Sequence, residues 1–258
     1  MSEPDFKPGL EGVIAVETEI AEPDREGGSL RYRGVDIEEL VGHYPFEKVW
    51  GLLVDGSFEP GMPHAERLEL QDPSGSVMAD LQAGLATLGA KWGLQQLVDM
   101  SPEQAREDLA RLSAASLSLV AQAARGAEEP PVSEVAVYQG ENAAAQFLIR
   151  WRGEANPRDV RAVDTYWVSA AEHGLNPSTF AARIAASTGA DCAAVMSSAV
   201  GALSLGIPRP GARRVSVTAD LYAAATGLIE PWRLRMCPGC RKTPQMMASS
   251  GLSASPGR

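Results

Sequence analysis

The chain has 258 residues, 45% of them apolar and 22% charged, which is an ordinary globular balance and enough length for one large domain or two modest ones. Its formal net charge of −10 argues against a nucleic-acid partner, because phosphate binding needs a basic footprint. No apolar run approaches the length of a membrane span, and the first residues carry no basic region followed by an apolar stretch, so a cytoplasmic protein is expected.

In chain order, "VIAVETEIA" (13–21) alternates and reads as a short strand, and "EGGSLRYRG" turns and leads on through Leu30 and Tyr32. Asp36 reads as the N-cap of a helix carrying Ile37, Leu40 and Val41, which Pro45 ends or kinks. Phe46, Val49, Trp50 and Leu53 repeat the helical spacing and stop near Gly56. A Pro/Gly-rich loop runs to about Ser74, and a helix is predicted from Val77 to Trp92. Ser101, Pro102 and Gln104 form a strong start signal for a helix that runs to Ala124, with Gly126 as its stop. One helix is predicted from Glu134 to Arg152, another opens at Asn156-Pro157, a third at Asn176-Pro177, and a last one spans Asp191 to Leu203. Strands are scarce, so a mostly α domain is predicted.

After Ser204 the text changes. From Leu205 onward there are eight Lys or Arg against only Asp220 and Glu230, so this tail is +6 and the first 204 residues are −16. The boundary divides the chain into a helical body, 1–204, and a basic, Pro/Gly-rich tail, 205–258, expected to be poorly ordered.

Familiar catalytic signatures such as G-x-x-x-x-G-K, G-x-S-x-G and H-E-x-x-H are absent. Cys237 and Cys240 have zinc-knuckle spacing but no second Cys/His pair, so no metal site is expected. Cys192 sits at a helix start, which favours a thiolate, yet it reads better as a small core residue. His43 and His64 read as solvated, and Arg150 and Arg152 as basic residues complementing the end of a helix. One segment stands apart: "SAAEHGLNPSTFAAR" (169–183) puts Glu172, His173 and Asn176 into an apolar setting. Gly174 reads as a helix stop, which places His173 at a helix C-terminus. Asn176 then caps the next helix, whose N-terminal amides favour an anion. A small carboxylate fits between the two ends, while the same residues also make an ordinary helix junction. Trp167, Phe180 and Ile184 are expected to bury both helices.

"GLEGVIAVETEIAEPDREGGSLRYRGVDIEEL" (9–40), "FEKVWGLLVDG" (46–56), "AEHGLNPSTFAARIAASTGAD" (171–191) and "SSAVGALS" (197–204) together resemble the citrate synthase family, in its bacterial citrate/2-methylcitrate branch. The resemblance implies a mainly α, citrate synthase-like helical large domain with a short N-terminal β segment, and a homodimer. It implies an acyltransferase that condenses oxaloacetate with acetyl-CoA, or with propionyl-CoA, with no resident cofactor. By motif, His173 holds oxaloacetate and Asn176 lines the same pocket, with Glu172 where the family more often has Asp. The family continues after "GALS" with "G-P-L-H-G-G", whose histidine supports the enol; here Pro208 stands at that place. No histidine follows His173, so the second catalytic histidine, the catalytic aspartate and the smaller domain that closes over the thioester are not readable in 205–258. The body therefore reads as authentic and the tail as an out-of-frame or otherwise aberrant ending. The alternative is a non-catalytic binding or assembly module that keeps the dicarboxylate pocket or a pairing surface.

Overall fold

The computed structural model describes residues 16–24, 28–70, 73–174 and 176–204; the expected tail from 205 to 258, with Cys237 and Cys240, lies outside them. The described chain opens with a small antiparallel sheet of β1 (Ala21–Pro23), β2 (Leu30–Tyr32) and β3 (Val35–Asp36), in that order. Of the alternation over 13–21, residues 13–15 lie outside the described residues and 16–20 are not strand, so β1 opens only at Ala21. Its register with β2 is fixed by Ala21 opposite Tyr32 and Pro23 opposite Leu30. Between β2 and β3, Arg33 and Gly34 both take positive φ (46° and 85°), the two-residue geometry that matches the twist of a hairpin.

Nine helices follow among the described residues: α1 (Ile37–Leu40), α2 (Phe46–Asp55), α3 (Val77–Trp92), α4 (Pro102–Arg125), α5 (Glu134–Val137), α6 (Ala143–Arg152), α7 (Pro157–Ala170), α8 (Pro177–Ser187) and α9 (Cys192–Ser204). Their starts follow from local chemistry. Ser76, Ser101, Asn156 and Asn176 each accept a backbone N–H from the first turn, and Pro occupies the opening of α4, α7 and α8.

The single helix predicted over 134–152 is two. Asn142 caps α6 by accepting the Ala145 N–H at 2.8 Å, and the Gln146 side chain donates to the Gly140 carbonyl at 3.0 Å. Gly140 lies so close to α6 that a Cβ there would stand 2.7 Å from the Gln146 nitrogen, which forces the break between α5 and α6. Arg150 is likewise no mere dipole complement. It is 4% exposed and forks onto Glu134 at 2.6 and 3.0 Å while donating to the Ala65 carbonyl, tying α5 to α6. Arg152 does meet a helix end, donating to Asp159 in the first turn of α7.

The core gathers around Trp167, which is fully buried and meets the Phe46 and Phe147 rings edge-on at 5.4 and 5.2 Å, joining α2, α6 and α7. Helices α3 and α9 run antiparallel at close range. Gly89 meets Ala193, and Gln82 and Ser197 exchange side-chain-to-carbonyl hydrogen bonds at 3.2 Å. Cys192 is buried with its thiol pushed up to about 12, by burial first and then by Asp108 and Asp191, so it is an unreactive core residue. No described helix is long and apolar enough to cross a membrane.

One long-range contact has a pH signature. Helix α2 has Pro45 at its cap position and no local side-chain cap; Asp164 of α7 accepts the Phe46 N–H at 2.8 Å instead. Burial pushes the Asp164 carboxyl up to about 6 from an ordinary 3.8; the Phe46 amide pulls it down, and the nearby Glu47 adds to the rise. The folded state thus holds this proton more tightly than the unfolded chain. The stability it contributes is complete below about 4 and is lost as the pH rises through about 6. Asp164→Asn keeps an oxygen for the Phe46 amide and removes the titration. In urea denaturation at stepped pH, the midpoint of the variant is expected to gain on that of the natural chain as the pH rises through this window. A constant gap would show that Asp164 does not titrate there.

Candidate functional site

The junction of α7 and α8 is built from the end of α7 outward. Helix α7 stops at Ala170, short of the expected stop at Gly174. The cause is the fully buried Tyr32 from β2: its hydroxyl donates to the Val168 carbonyl at 3.0 Å, lies 3.4 Å from the Ser169 carbonyl, and accepts the Glu172 N–H at 3.3 Å. A phenol thus takes the carbonyls that the next helical amides would have taken. Burial pushes this hydroxyl up to about 12, so it stays a neutral donor.

Glu172 lies inside, 2% exposed. Its Oε1 accepts the N–H groups of His173 and Gly174 at 2.9 and 3.0 Å, and its Oε2 accepts the Thr179 hydroxyl of α8 at 2.9 Å. Arg183, 6% exposed, donates to Thr18 at 3.3 Å; burial lowers its pKa and the charge of Glu172 opposes that shift. The crevice lined by Thr18, Ile20, Ala21, Glu172, Gly174, Thr179 and Arg183 is too tight for water. Gly174 adopts φ 92°, and a Cβ there would stand 2.8 Å from the Pro23 ring.

Of the two predicted site residues, Asn176 is buried at 6% exposure and His173 is exposed. His173 lies in the bend beyond α7 and not in its last turn, so the helix-dipole argument for it does not hold. Asn176 caps α8, its Oδ1 accepting from Thr179 N at 2.8 Å and from the Ser178 hydroxyl. Its Nδ2 is buried and finds no acceptor among the described residues. The start of α8 offers fewer amides than expected, because Pro177 has none and that of Thr179 is taken by Asn176. The buried donor left without an acceptor at this junction, among the described residues, is the Asn176 amide.

Burial of both helices holds for Trp167 alone, since Phe180 and Ile184 are 38% and 52% exposed. His43 is exposed as expected. His64 is exposed but tied through Nδ1 to Gln146, with contacts of 3.1 and 2.9 Å to its two amide atoms. A roomier cavity of about 620 Å³ lies between Leu68, Glu69, Leu70, Ser74, α3 and Leu119, and holds none of the predicted residues. No group of metal-ligating side chains occurs among the described residues. Sequence reading flagged Glu172 without a role and missed Tyr32, Thr179 and Arg183. No local spacing connects residues 140 positions apart.

The helical architecture matches known proteins. The family model "Citrate synthase, C-terminal domain" covers residues 9–218, running past the boundary drawn at Ser204. A Mycobacterium tuberculosis protein named "Putative citrate synthase 2" is 54% identical over 201 residues, covering 78% of this chain and 54% of its own. The 2-methylcitrate synthase 1 of Corynebacterium glutamicum is 29% identical over 230 residues, covering 79% and 58%. The fold matches the citrate synthase of Thermoplasma acidophilum, solved in a ternary complex with carboxymethyl coenzyme A and oxaloacetate, at TM-score 0.63 and 18% identity over 78% of this chain and 56% of that one. The chain belongs to the citrate synthase family, and it spans about half the length of the curated relatives it matches.

Two substitutions test how the junction is held. Tyr32→Phe leaves the Glu172 N–H and the α7 carbonyls without their shared partner and is expected to cost about 1–3 kcal/mol in chemical denaturation. Gly174→Ala forces a positive φ on a residue with a Cβ and drives it into Pro23. It should destabilise by about 1–3 kcal/mol. Variants as stable as the natural chain would show that neither contact holds the junction.

Proposed function

We propose that this chain carries the oxaloacetate-binding part of a citrate synthase-type acyltransferase site, with His173 and Asn176 holding the dicarboxylate where α7 meets α8. The observation that supports this is the buried Asn176 amide, whose Nδ2 lacks an acceptor, three residues from an exposed histidine and at the start of an eleven-residue helix. A buried amide N–H without an acceptor costs free energy that a ligand oxygen recovers. The helix end behind it adds a favourable field for negative charge. The imidazole of His173 supplies a second donor from the solvent side.

The reaction this reading implies is condensation of oxaloacetate with acetyl-CoA or propionyl-CoA, giving citrate or 2-methylcitrate, with the acyl-CoA as substrate and no resident cofactor. A carboxylate removes the proton beside the thioester, one histidine supports the enol, and another protonates the ketone as carbon attacks it. The 258-residue polypeptide has no histidine after His173, and Pro208 replaces the one expected next. Each missing acid–base group costs about 10²–10⁴ in rate, so the polypeptide alone is expected to bind oxaloacetate without condensing it.

Calorimetric titration of the purified chain with oxaloacetate should give saturable binding, weakened about tenfold or more in His173→Ala, the usual cost of losing a hydrogen bond to a charged group. Absence of binding would remove the reading. Free CoA released from acetyl-CoA and oxaloacetate at an ordinary enzymatic rate would overturn the inactivity of the isolated chain.

A second reading, a pairing module, draws support from Phe180 and Ile184. They are exposed at i and i+4 on one side of α8, the stripe that a partner helix would cover. We propose a homodimer through this side. Introducing Glu at both positions should convert a sedimenting dimer into a monomer; a natural chain that sediments as a monomer would contradict it.

A further inference from the structure

A carboxylate buried to 2% exposure must be compensated, and junction chemistry alone does not ask for one: Gly174, Asn176 and Pro177 would end one helix and start the next without it. Glu172 is compensated in a particular way. One oxygen takes two successive backbone amides, which fixes the peptide planes around His173 and Gly174. The other takes the hydroxyl of Thr179. Thr179 in turn gives its backbone N–H to Asn176 Oδ1, at 2.8 Å, so one residue links the Glu172 carboxylate to the amide whose Nδ2 faces no acceptor. Tyr32 fixes the backbone of Glu172 from below, and the Arg183 guanidinium lies within its electrostatic reach.

We infer that Glu172 is the positioning residue of this junction: through its bonds to the His173 and Gly174 amides and to Thr179, it sets where the His173 ring and the Asn176 amide stand relative to each other. The inference rests on the dicarboxylate reading above for its functional consequence, and on the hydrogen bonds alone for its structural one. Glu172 does not touch the ligand. Its length explains why Glu serves here: the side chain folds back over its own next two amides and still reaches α8. Charge-assisted acceptance by a buried carboxylate is stronger than acceptance by an amide, so an isosteric Gln holds the same groups less firmly.

The test uses the full chain and three variants: Glu172→Gln, which keeps shape and loses charge; Glu172→Asp, the conservative change; and Thr179→Val, which removes only the hydroxyl. The measurements are amide exchange at His173 and Gly174, the His173 ring resonance, the dissociation constant for oxaloacetate, and the global unfolding midpoint. The chain has three histidines, so His173→Asn assigns that resonance directly. Glu172→Gln is expected to speed exchange at the two amides by about tenfold or more, to shift the ring resonance and to weaken oxaloacetate by about tenfold. Glu172→Asp should recover part of each. Thr179→Val should shift the resonance and weaken oxaloacetate about threefold to tenfold, with the global midpoint close to that of the natural chain. If Glu172→Gln fails to fold, Thr179→Val decides: an unchanged ring resonance and unchanged affinity overturn the inference. The same holds if Glu172→Gln folds with both amides as protected as before. A natural chain that binds no oxaloacetate, while Glu172→Gln still frees the two amides and shifts the ring, sinks the dicarboxylate reading and leaves the positioning role standing.

Discussion

The hydroxyl of Tyr32 decides where α7 ends. A fully buried ring from the N-terminal hairpin brings one oxygen to the last carbonyls of a helix 136 residues further along, and the same oxygen receives the amide of Glu172. Without that oxygen, the carbonyls of Val168 and Ser169 would call for continued helical amides, and the bend carrying Glu172 and His173 would be drawn into another turn. The small sheet therefore serves as an anchor for the junction. This gives the three-stranded element a role among described residues that are otherwise helices and connections.

Around this point the protein uses two packing regimes. At α3 and α9, small residues let backbones approach, with Gly89 against Ala193 and Gln82 bonded to the main chain of Ser197. At α2, α6 and α7, large rings fill the space, with Trp167 at their centre. Polar groups inside are handled by forks to carboxylates, as for Arg150 on Glu134, and by the Glu172 clasp. The clasp differs from the forks because its donors are mostly backbone, so it fixes chain direction as well as charge.

Much of the helical order was legible because it is written locally. Ser101 with Pro102, Asn156 with Pro157 and Asn176 with Pro177 each mark a start within three residues, and the helices begin there. The family motif named His173 and Asn176; the structure leaves the first exposed in the bend after α7 and the second buried as the cap of α8. What escaped depends on distant partners. The break between α5 and α6 comes from packing of Gly140 against Gln146, which a helical period cannot reveal. The end of α7 depends on Tyr32. The exposure of Phe180 and Ile184 depends on what α8 leaves uncovered, and apolar spacing alone does not distinguish a core face from a pairing face.

The borrowed cap of α2 bears on how the chain reaches this structure. Helix α4 carries its own start signal, so its first turn is favoured as soon as that stretch leaves the ribosome. Helix α2 does not: its first amide waits for a carboxylate 118 residues downstream, and its own Glu47 then caps α6 by accepting the Ala143 N–H at 3.3 Å. Ordering of α2, α6 and α7 is thus linked, with the first amide of α2 completed by α7 and that of α6 by α2, and with long loops closed before the contacts repay them. Synthesis of the first half of the body yields helices of unequal readiness, and α2 becomes fully secured only when α7 has emerged and docked.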